Sequence, residues 1–266
     1  MEKRVERLLR GLGVYAPMKS SPIYEAYLRA FRRDVLRDRD REIEFYRSIL
    51  RTSDRQGAIF DIGANLGDKA EVFRRVQGKV VCFEPDRTNI EFLKQRFRRR
   101  SEVVVVGKAV SDRIGTLEFN VFQEGDSLNT LSTKWVDVLT GEQDARFGRG
   151  RRVVSRYPVD TVTLDRALDD YGPALYVKID VEGHELNVLK GLTRGVPFIS
   201  FEVNLPHFRA EALECVAHVA STVPGARFNY DVHCKLEMPH WMDQAAFSSW
   251  LAETSLPYAE VWARML

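Results

Sequence analysis

A glycine-bearing loop near the start of the chain constrains the fold more than any other segment. The apolar run 58–60 leads into D-I-G-A-N-L-G, residues 61–67, and then into a helix-like stretch that starts at Asp68. A strand, a glycine loop and a helix in this order are typical of the first unit of an α/β sheet that holds a nucleotide-type ligand at its carboxyl edge. The segment therefore predicts an α/β protein with a ligand site at this loop.

The acid in this loop narrows the class of ligand. Dinucleotide-binding folds read G-x-G-x-x-G and present bare backbone N–H groups to a pyrophosphate, whereas Asp61 precedes Gly63 in this chain. A carboxylate repels a pyrophosphate but suits a cationic ligand with an amino-acid end. S-adenosylmethionine is such a ligand, because it carries a sulfonium, an ammonium and a ribose but no phosphate.

A second acid follows at the spacing that a ribose contact requires. Residues 79–83 read as a buried strand that ends at Glu84-Pro85, and Glu84 lies 21 positions after Gly63 (84 − 63). In such units an acid about 20 residues beyond the glycines meets the ribose, and its two oxygens accept hydrogen bonds from both hydroxyls. Pro85 ends the strand because it has no N–H for the ladder. The alternative is a structural turn with an incidental acid.

A third motif lies in the second half of the chain. Residues 175–185 read L-Y-V-K-I-D-V-E-G-H-E, a hydrophobic strand that ends at Asp180 and a glycine turn that leads into a helix over 185–190. With these residues the chain resembles the FkbM family of S-adenosylmethionine-dependent methyltransferases, whose hallmark is a K-I-D-V-E-G-x-E stretch. The likeness runs from about residue 60 to residue 204, and further segments follow the family's order: Asp61–Gly67, Phe83–Pro85, Ala109–Asp112, Thr163–Asp165 and Gly191-Leu192.

The resemblance implies both a fold and a cofactor site. The implied fold is α/β, a doubly wound, mostly parallel seven-stranded sheet of the Rossmann-like methyltransferase type, and the implied cofactor is S-adenosylmethionine. The cofactor-binding residues expected on this basis are Asp61, Gly63, Ala64, Asn65, Gly67, Glu84, Val110, Ser111 and Asp180. Residues 109–112 are expected to border the adenine. The family mostly O-methylates hydroxyls, often on sugars or natural products, which is the activity implied for this chain.

Three residues are candidates for the chemistry. Methyl transfer from a sulfonium requires an aligned acceptor oxygen, exclusion of water and uptake of a proton. Asp180 is expected at the carboxyl edge of the sheet, where it holds the ammonium, positions the acceptor or serves as the base. His184 titrates near neutrality when unperturbed and is the alternative base, while Glu202 is expected to line the acceptor pocket. We expect Asp180 to matter more than His184 because the sheet fixes its position.

A metal-dependent alternative uses the same edge of the sheet. Asp180, Glu202 and Asn204 resemble the oxygen set with which catechol-type methyltransferases hold Mg²⁺, although a Glu replaces an Asp and the pair is not adjacent. The favoured interpretation has no metal. The three cysteines, Cys82, Cys215 and Cys234, form no C-x-x-C pair and have no metal-ligand spacing.

Alternating patterns predict the other elements and two regions. Helices are expected over 68–76, 88–100, 209–223 and 241–251, and strands over 103–106, 116–122, 198–203, 227–232 and 260–265. The polar stretch 123–152, with an apolar island at 135–139, is long for a connection and predicts a lid or acceptor-binding loop. These patterns divide the chain into an N-terminal helical cap over 1–55 and a methyltransferase domain over 56–266.

The charge of the cap leaves a second function class open. Residues 1–55 carry 14 Lys and Arg against 9 Asp and Glu, and the favoured interpretation is a helical cap with a solvated outer face, in which Phe31, Val35 and Leu36 share one side. The alternative is a nucleic-acid-binding or RNA-modifying protein that docks this arm on phosphates. Against it, the N-P-P-Y type motif of base-methylating enzymes is missing and no aromatic-rich basic face is evident.

The expected location follows from the absence of targeting signals. No apolar run approaches the roughly 18 residues that span a bilayer, and no apolar h-region follows the charged residues 1–6. We therefore expect a cytoplasmic enzyme that acts on a small-molecule or glycan acceptor rather than on nucleic acid. The oligomeric state and the identity of the acceptor stay open.

Overall fold

The computed structural model of the protein describes residues 18–19, 21–141, 145–147 and 150–266. Its helices are α1 (Pro22–Phe31), α2 (Arg33–Leu50), α3 (Asp68–Val76), α4 (Arg87–Phe97), α5 (Thr133–Thr140), α6 (Leu164–Tyr171), α7 (Glu185–Lys190), α8 (Arg209–Thr222) and α9 (Gln244–Glu253). Its strands are β1 (Ala58–Ile62), β2 (Val80–Phe83), β3 (Val103–Val106), β4 (Ala109–Val110), β5 (Gly115–Val121), β6 (Ser155–Val162), β7 (Ala174–Ile179), β8 (Phe198–Asn204), β9 (Arg227–Asp231) and β10 (Tyr258–Arg264).

The main sheet has seven strands in the order β3-β2-β1-β7-β8-β10-β9. Pairs from β3 through β8 are parallel, and β10 runs antiparallel to both of its neighbours. The strand order reverses between β1 and β7, and ligands of open α/β sheets bind in the crevice outside the carboxyl ends at such a point. The expected doubly wound, mostly parallel sheet of seven strands is confirmed, and its switch point brings residues 61–67 beside residues 180–185.

A small second sheet was not expected from the sequence. It has the order β4-β6-β5, and β5 and β6 form its antiparallel pair. The stretch 116–122, expected as an exposed strand, belongs to it, while β6 was missed. Pro158 interrupts the apolar alternation of β6, and a proline inside a run argues against a strand unless the strand has a free edge or the position needs no N–H.

The described residues of the stretch 123–152 include a helix. Its apolar island forms α5, and the side chain of Ser132 caps this helix by accepting a hydrogen bond from the Trp135 N–H. Trp135 is fully buried and packs edge-on against Phe208, with 5.6 Å between ring centroids. The island is therefore an amphipathic helix that anchors the segment to the start of α8.

The N-terminal cap packs directly on the main sheet. Helix α2 buries four apolar side chains, Ile43, Tyr46, Ile49 and Leu50, against it. Tyr46 contacts Tyr176 and Trp262, whose rings stack with 4.9 Å between centroids. Burying side chains of this size contributes roughly 1.5–3 kcal/mol each, so α2 is part of the core and not a loosely attached arm.

The outer face of the cap differs from the expectation. The helix is interrupted at Arg32, between α1 and α2, and the Phe31 side chain is 75% exposed. The expected shared face of Phe31, Val35 and Leu36 is therefore wrong, because that face requires one continuous helix. Residues 1–17 of the cap lie outside the described residues. Among the described residues, no helix has both the length and the apolar character needed to cross a membrane.

Candidate functional site

The loop after β1 lies directly against the end of β7. The N–H of Gly63 donates to the Phe83 carbonyl at 2.9 Å, and the N–H of Asp180 donates to the Ile62 carbonyl at 3.0 Å. Gly63 has a φ of +85°, and a Cβ at this position would lie 1.8 Å from the carbonyl oxygen of Asp180. Glycine is required here for both reasons, and its absence of a side chain lets the loop and the strand end meet.

These strand ends line a cleft with a volume of about 100 Å³. Five of the expected cofactor residues line it: Gly63, Asn65, Glu84, Val110 and Asp180. Asp61 is buried just behind the lining, at 1% exposure, while Ala64 and Gly67 shape the loop and the start of α3. Ser111 is fully buried behind Val110.

Glu84 is oriented toward the cleft by backbone hydrogen bonds. Its two carboxyl oxygens accept from the N–H of Asn65 at 2.7 Å and from the N–H of Asp86 at 2.8 Å. Each oxygen retains acceptor capacity for one more hydrogen, such as that of a ribose hydroxyl. Burial raises the pKa of Glu84 to about 8, although the two backbone hydrogen bonds oppose the shift.

Buried acceptor atoms around the cleft test whether S-adenosylmethionine fits. Within the described part of the chain, Oδ2 of Asp61, Oδ1 of Asn65 and Oδ1 of Asn89 are buried and have no hydrogen-bond partner. An unsatisfied buried acceptor is costly, so a ligand with hydrogen-bond donors stabilises it. S-adenosylmethionine offers an ammonium, two ribose hydroxyls and the adenine amino group, whereas a pyrophosphate offers only acceptors. The residues therefore fit this cofactor.

Asp180 and Lys178 form an ion pair at the end of β7. The Lys178 Nζ lies 2.7 Å from the Asp180 Oδ2, and Asp180 retains 33% exposure while Lys178 has 4%. Burial acts to raise the pKa of Asp180, but the ammonium of Lys178 and hydrogen bonds from Lys178 and Glu202 outweigh it and lower the pKa. Asp180 is thus ionised at neutral pH and faces the cleft.

The turn after Asp180 is held in a strained conformation. Glu182 has a φ of +54°, which non-glycine residues rarely adopt. The Thr130 hydroxyl donates to the Glu182 carbonyl at 2.7 Å, and Glu185 accepts from the N–H groups of Val181 and Gly183. These contacts fix the conformation of the turn, and Glu185, the last acid of the K-I-D-V-E-G-x-E stretch, hydrogen-bonds to its backbone. Backbone strain of this kind is concentrated at functional sites.

Glu202 lies beside Asp180, as does the side chain of Glu182. Burial, and then the charge of Asp180, raise the pKa of both glutamates well above the ordinary value and so favour their protonated forms. Glu202 accepts from the Asn204 amide at 3.2 Å and hydrogen-bonds to Asp180. Among the described residues, no group of three or more His, Cys, Asp or Glu side chains has an arrangement suited to a metal ion.

His184 differs from its expected setting. It is 8% exposed, and its Nε2 lies 3.0 Å from the hydroxyl of Ser111, which in turn lies 3.1 Å from Asp112 Oδ1. Burial lowers the pKa of His184 to about 4, so the imidazole is neutral at pH 7 and is held in place rather than free on the turn. It borders the cleft and also an adjoining hollow, with a volume of about 320 Å³, that is lined by Lys134, Glu202 and Phe208 among others.

Several residues that line the site were not singled out from the sequence. Asn89 and Phe119 belong to elements predicted for other reasons. The sequence does offer the hydroxyls and amide of 127–132 to a hydroxylated acceptor, and Ser127, Asn129, Thr130 and Leu131 line the cleft. The sequence also offers Arg146, Arg149, Arg151 and Arg152 as contacts for a phosphate or sulfate. In the structure, Arg146 donates to two backbone carbonyls and Arg151 pairs with Asp126, while Arg149 lies outside the described residues.

Comparisons with known proteins identify relatives of this chain. The model of the methyltransferase FkbM domain matches residues 61–238. The hexuronic acid methyltransferase AglP of Haloferax volcanii is 24% identical over 173 residues, and the match spans 63% of this chain and 63% of that protein.

Solved structures with loose overall similarity are also methyltransferases. The precorrin-6y C5,15-methyltransferase of Geobacter metallireducens has 12% identity and a TM-score of 0.40, with 81% of this chain and 84% of that chain covered. The plantazolicin methyltransferase BpumL, solved with SAH, has 7% identity and a TM-score of 0.41, with 98% and 97% covered. TM-scores this low assign no function. The match of the family model over more than half of the chain does, and the chain belongs to the FkbM family of S-adenosylmethionine-dependent methyltransferases.

Proposed function

We propose that this methyltransferase transfers the methyl group to a hydroxyl on a sugar, a glycan or a natural-product small molecule. The observation that carries the proposal is the setting of Asp180, an ionised carboxylate that Lys178 fixes at 2.7 Å and that faces the cleft. A hydroxyl needs such an acceptor both to be aligned and to lose its proton.

Each side chain of the site has a role in this proposal. When bound, S-adenosylmethionine supplies an activated methyl group. Asp61 and Asn65, with their unsatisfied oxygens, would hold its amino-acid end, Glu84 the ribose hydroxyls, and Val110 the apolar face of the adenine. Gly63, Ala64 and Gly67 keep the loop close enough for these contacts.

The acceptor hydroxyl would donate to Asp180, which takes up its proton. Lys178 keeps Asp180 ionised before transfer, and Glu202 hydrogen-bonds to Asp180 and positions it. His184 is neutral and hydrogen-bonded to Ser111, so it would position the acceptor or accept the proton. Burial lowers its pKa and makes it a weaker base than an ordinary histidine. Nothing in this sequence of roles requires a metal.

The acceptor would lie against the residues that the cleft and the adjoining hollow share. Leu131 and His184 line both, and the segment 127–134 contributes hydroxyl and amide groups to their walls. We therefore propose that 123–152, together with the N-terminal cap over 1–55, shapes the acceptor site of the domain over 56–266. The similarity to the hexuronic acid methyltransferase of Haloferax supports a sugar-like acceptor.

No observation favours the nucleic-acid alternative. Arginines of the basic arm are engaged by acids of the same chain: Arg39 pairs with Glu25 at 2.7 Å and Arg41 with Asp38 at 2.5 Å. An arm engaged in this way is a poor phosphate-binding surface. The cytoplasmic location stays a prediction.

The test is a screen of the purified full chain with labelled S-adenosylmethionine against hydroxylated metabolites, glycosides and oligosaccharides, with RNA as a further arm. We expect the labelled methyl group to form an ether with a hydroxyl oxygen of the acceptor, as identified by NMR of the product. We expect no labelled product with Asp180→Asn. Label on nitrogen or carbon, or transfer to RNA alone, would contradict the proposal while leaving the family assignment intact.

A further inference from the structure

Among the described residues, three buried oxygens without a partner surround the cleft, and only two of them belong to motifs that the family resemblance singled out. Asp61 and Asn65 are in the D-x-G-x-N-x-G loop, whereas the third, Oδ1 of Asn89, is on helix α4. Asn89 is 2% exposed and lines the cleft beside Glu84 and Pro85. It is therefore a buried acceptor that the expected site does not explain.

The surrounding protein has already committed its nearby donors. The Asn129 amide donates to Asp86 Oδ2 and to the Gln123 carbonyl, both at 2.8 Å. Asp86, the N-cap of α4, accepts the backbone N–H groups of Thr88 and Asn89. The helix start is therefore capped without the Asn89 side chain, whose carbonyl oxygen has no structural task among the described residues.

The position of Asn89 identifies which part of a ligand reaches it. Asn89 lies on the Glu84 side of the cleft, because Glu84 accepts the N–H of Asp86 and Asp86 accepts the N–H of Asn89. A Cβ built on Gly125 would lie 3.1 Å from Oδ1 of Asn89, so the segment after β5 covers this atom. Asn89 is thus placed beside the acid that the proposed function assigns to the ribose.

We propose that Asn89 binds the nucleoside half of S-adenosylmethionine, with its side-chain oxygen accepting a hydrogen from a ribose hydroxyl or from the adenine amino group. The inference rests on the family's cofactor and on the proposed arrangement of the cofactor along the cleft. It adds a residue that selects for the nucleoside and that none of the glycine–acid motifs contains.

The test measures binding of S-adenosylhomocysteine and of 5′-methylthioadenosine by calorimetry to the full chain, with no acceptor needed. Asn89→Ala and Asn89→Leu should weaken both ligands by about 3- to 10-fold, the range for one neutral hydrogen bond. Gln95→Ala, which removes an exposed amide from the same helix, should leave both affinities unchanged. Melting temperatures of the ligand-free variants separate a loss of fold from a loss of the contact.

Analogues then separate the two donors. If the adenine amino group is the partner, replacing adenosine by inosine should weaken binding to the wild type but add little to the loss in Asn89→Leu. If a ribose hydroxyl is the partner, the 2′- and 3′-deoxy analogues should show this behaviour instead. Unchanged affinities in both folded Asn89 variants would overturn the inference. So would a loss in Asn89→Leu that adds fully to the loss caused by every one of the analogues. Failure of the wild type to bind either ligand would instead contradict the cofactor itself.

Discussion

Lys178 and Asp180 meet in a 2.7 Å ion pair, yet Lys178 is 4% exposed and Asp180 is 33% exposed. They are two residues apart, so they project from the same side of the sheet at the end of β7. The lysine is buried, and the acid lines the cleft. The buried ammonium thus favours the ionised form of the Asp180 carboxylate, while Lys178 is not among the residues that line the cleft. A charge fixed before the acceptor arrives needs no reorganisation during transfer.

Asp180→Asn should therefore remove nearly all turnover, whereas His184→Gln should keep a measurable part. Loss of alignment and of the proton acceptor together costs about 10³-fold or more, and loss of a secondary proton acceptor costs roughly 10²-fold or less. Initial rates with labelled cofactor, using an acceptor found in the screen, check this. Asp170→Asn, at an exposed acid on α6, is the matched control. A larger loss in His184→Gln than in Asp180→Asn would reverse the ranking.

The affinity for S-adenosylhomocysteine should rise with pH. Burial raises the pKa of Glu84 to about 8 and that of Asp61 to about 6, while hydroxyl and ammonium donors require the ionised forms. Binding therefore releases protons: from both acids below pH 6, from Glu84 between pH 6 and 8, and from neither above pH 8. Each linked proton gives up to about a tenfold gain in affinity per pH unit.

Calorimetry at pH 5.5, 7 and 8.5 measures this dependence, and two buffers of different ionisation enthalpy count the protons released. Glu84→Gln should bind weakly and lose the step between pH 6 and 8. The sign for stability is opposite: the ligand-free fold keeps these protons where the unfolded chain has lost them, so their stabilisation disappears as the pH rises through about 6 and then 8. An affinity that is flat from pH 6 to 8 would show that Glu84 does not take the ribose as a carboxylate.

The sequence was most informative where the chemistry of the site is local. Asp61, Gly63 and Glu84 lie within one strand–helix–strand unit, so their spacing alone brings them to one edge of the sheet. The strand that ends before Asp180 could be predicted for the same reason, because its apolar run and glycine turn are contiguous. The seven-stranded fold followed from the resemblance that these motifs carry.

Features set by contacts between distant residues could not be read in this way. The pKa of His184 depends on burial against Ser111, 73 positions earlier, and a free histidine was expected. Strand β6 was missed because its stability comes from pairing with β5, and Pro158 obscures its alternation. The unsatisfied oxygen of Asn89 becomes visible only once the donors around it are known to be engaged.

Gly63 and Gly78 offer a controlled test of the loop. Both have a positive φ, +85° and +92°, but a Cβ at Gly63 would lie 1.8 Å from the Asp180 carbonyl oxygen, whereas a Cβ at Gly78 would meet nothing within 4 Å. Gly78→Ala should cost about 1–2 kcal/mol of unfolding free energy, the cost of the left-handed conformation alone. Gly63→Ala should cost more and abolish binding of S-adenosylhomocysteine, since it separates the loop from β7.

Denaturant unfolding and calorimetry on the two variants make the comparison. The outcome that counts against the geometry is a Gly63→Ala protein that is as stable as Gly78→Ala and binds the ligand with wild-type affinity. Weak binding in Gly78→Ala would instead mean that strain anywhere in this unit, and not the contact with Asp180, limits the cofactor site.

The last prediction concerns the charge of the acceptor. Among the described residues, the cations that line the cleft and the hollow are Lys108, at the exposed rim, and Lys134, which pairs with Glu211 at 2.5 Å. A uronate carboxylate near Asp180 would be desolvated beside a like charge, which is costly. We therefore expect a neutral hexoside to exceed the matching uronate in kcat/KM by about tenfold, equivalent to about 1.4 kcal/mol.

The preference should also grow with pH, because burial and the charge of Asp180 raise the pKa of Glu182 and Glu202, and each acid that ionises as the pH rises adds a negative charge beside the acceptor. Glucoside and glucuronide with the same aglycone, compared at pH 6.5 and 8.5, provide the measurement. Glu202→Gln should reduce the change with pH, and Glu118→Gln, at an exposed position on β5, should not. A preference for the uronate at both pH values would contradict this prediction and would match the activity of the Haloferax relative. It would then require a cation in the acceptor site from residues outside the described ranges, which include 1–17, 142–144 and 148–149.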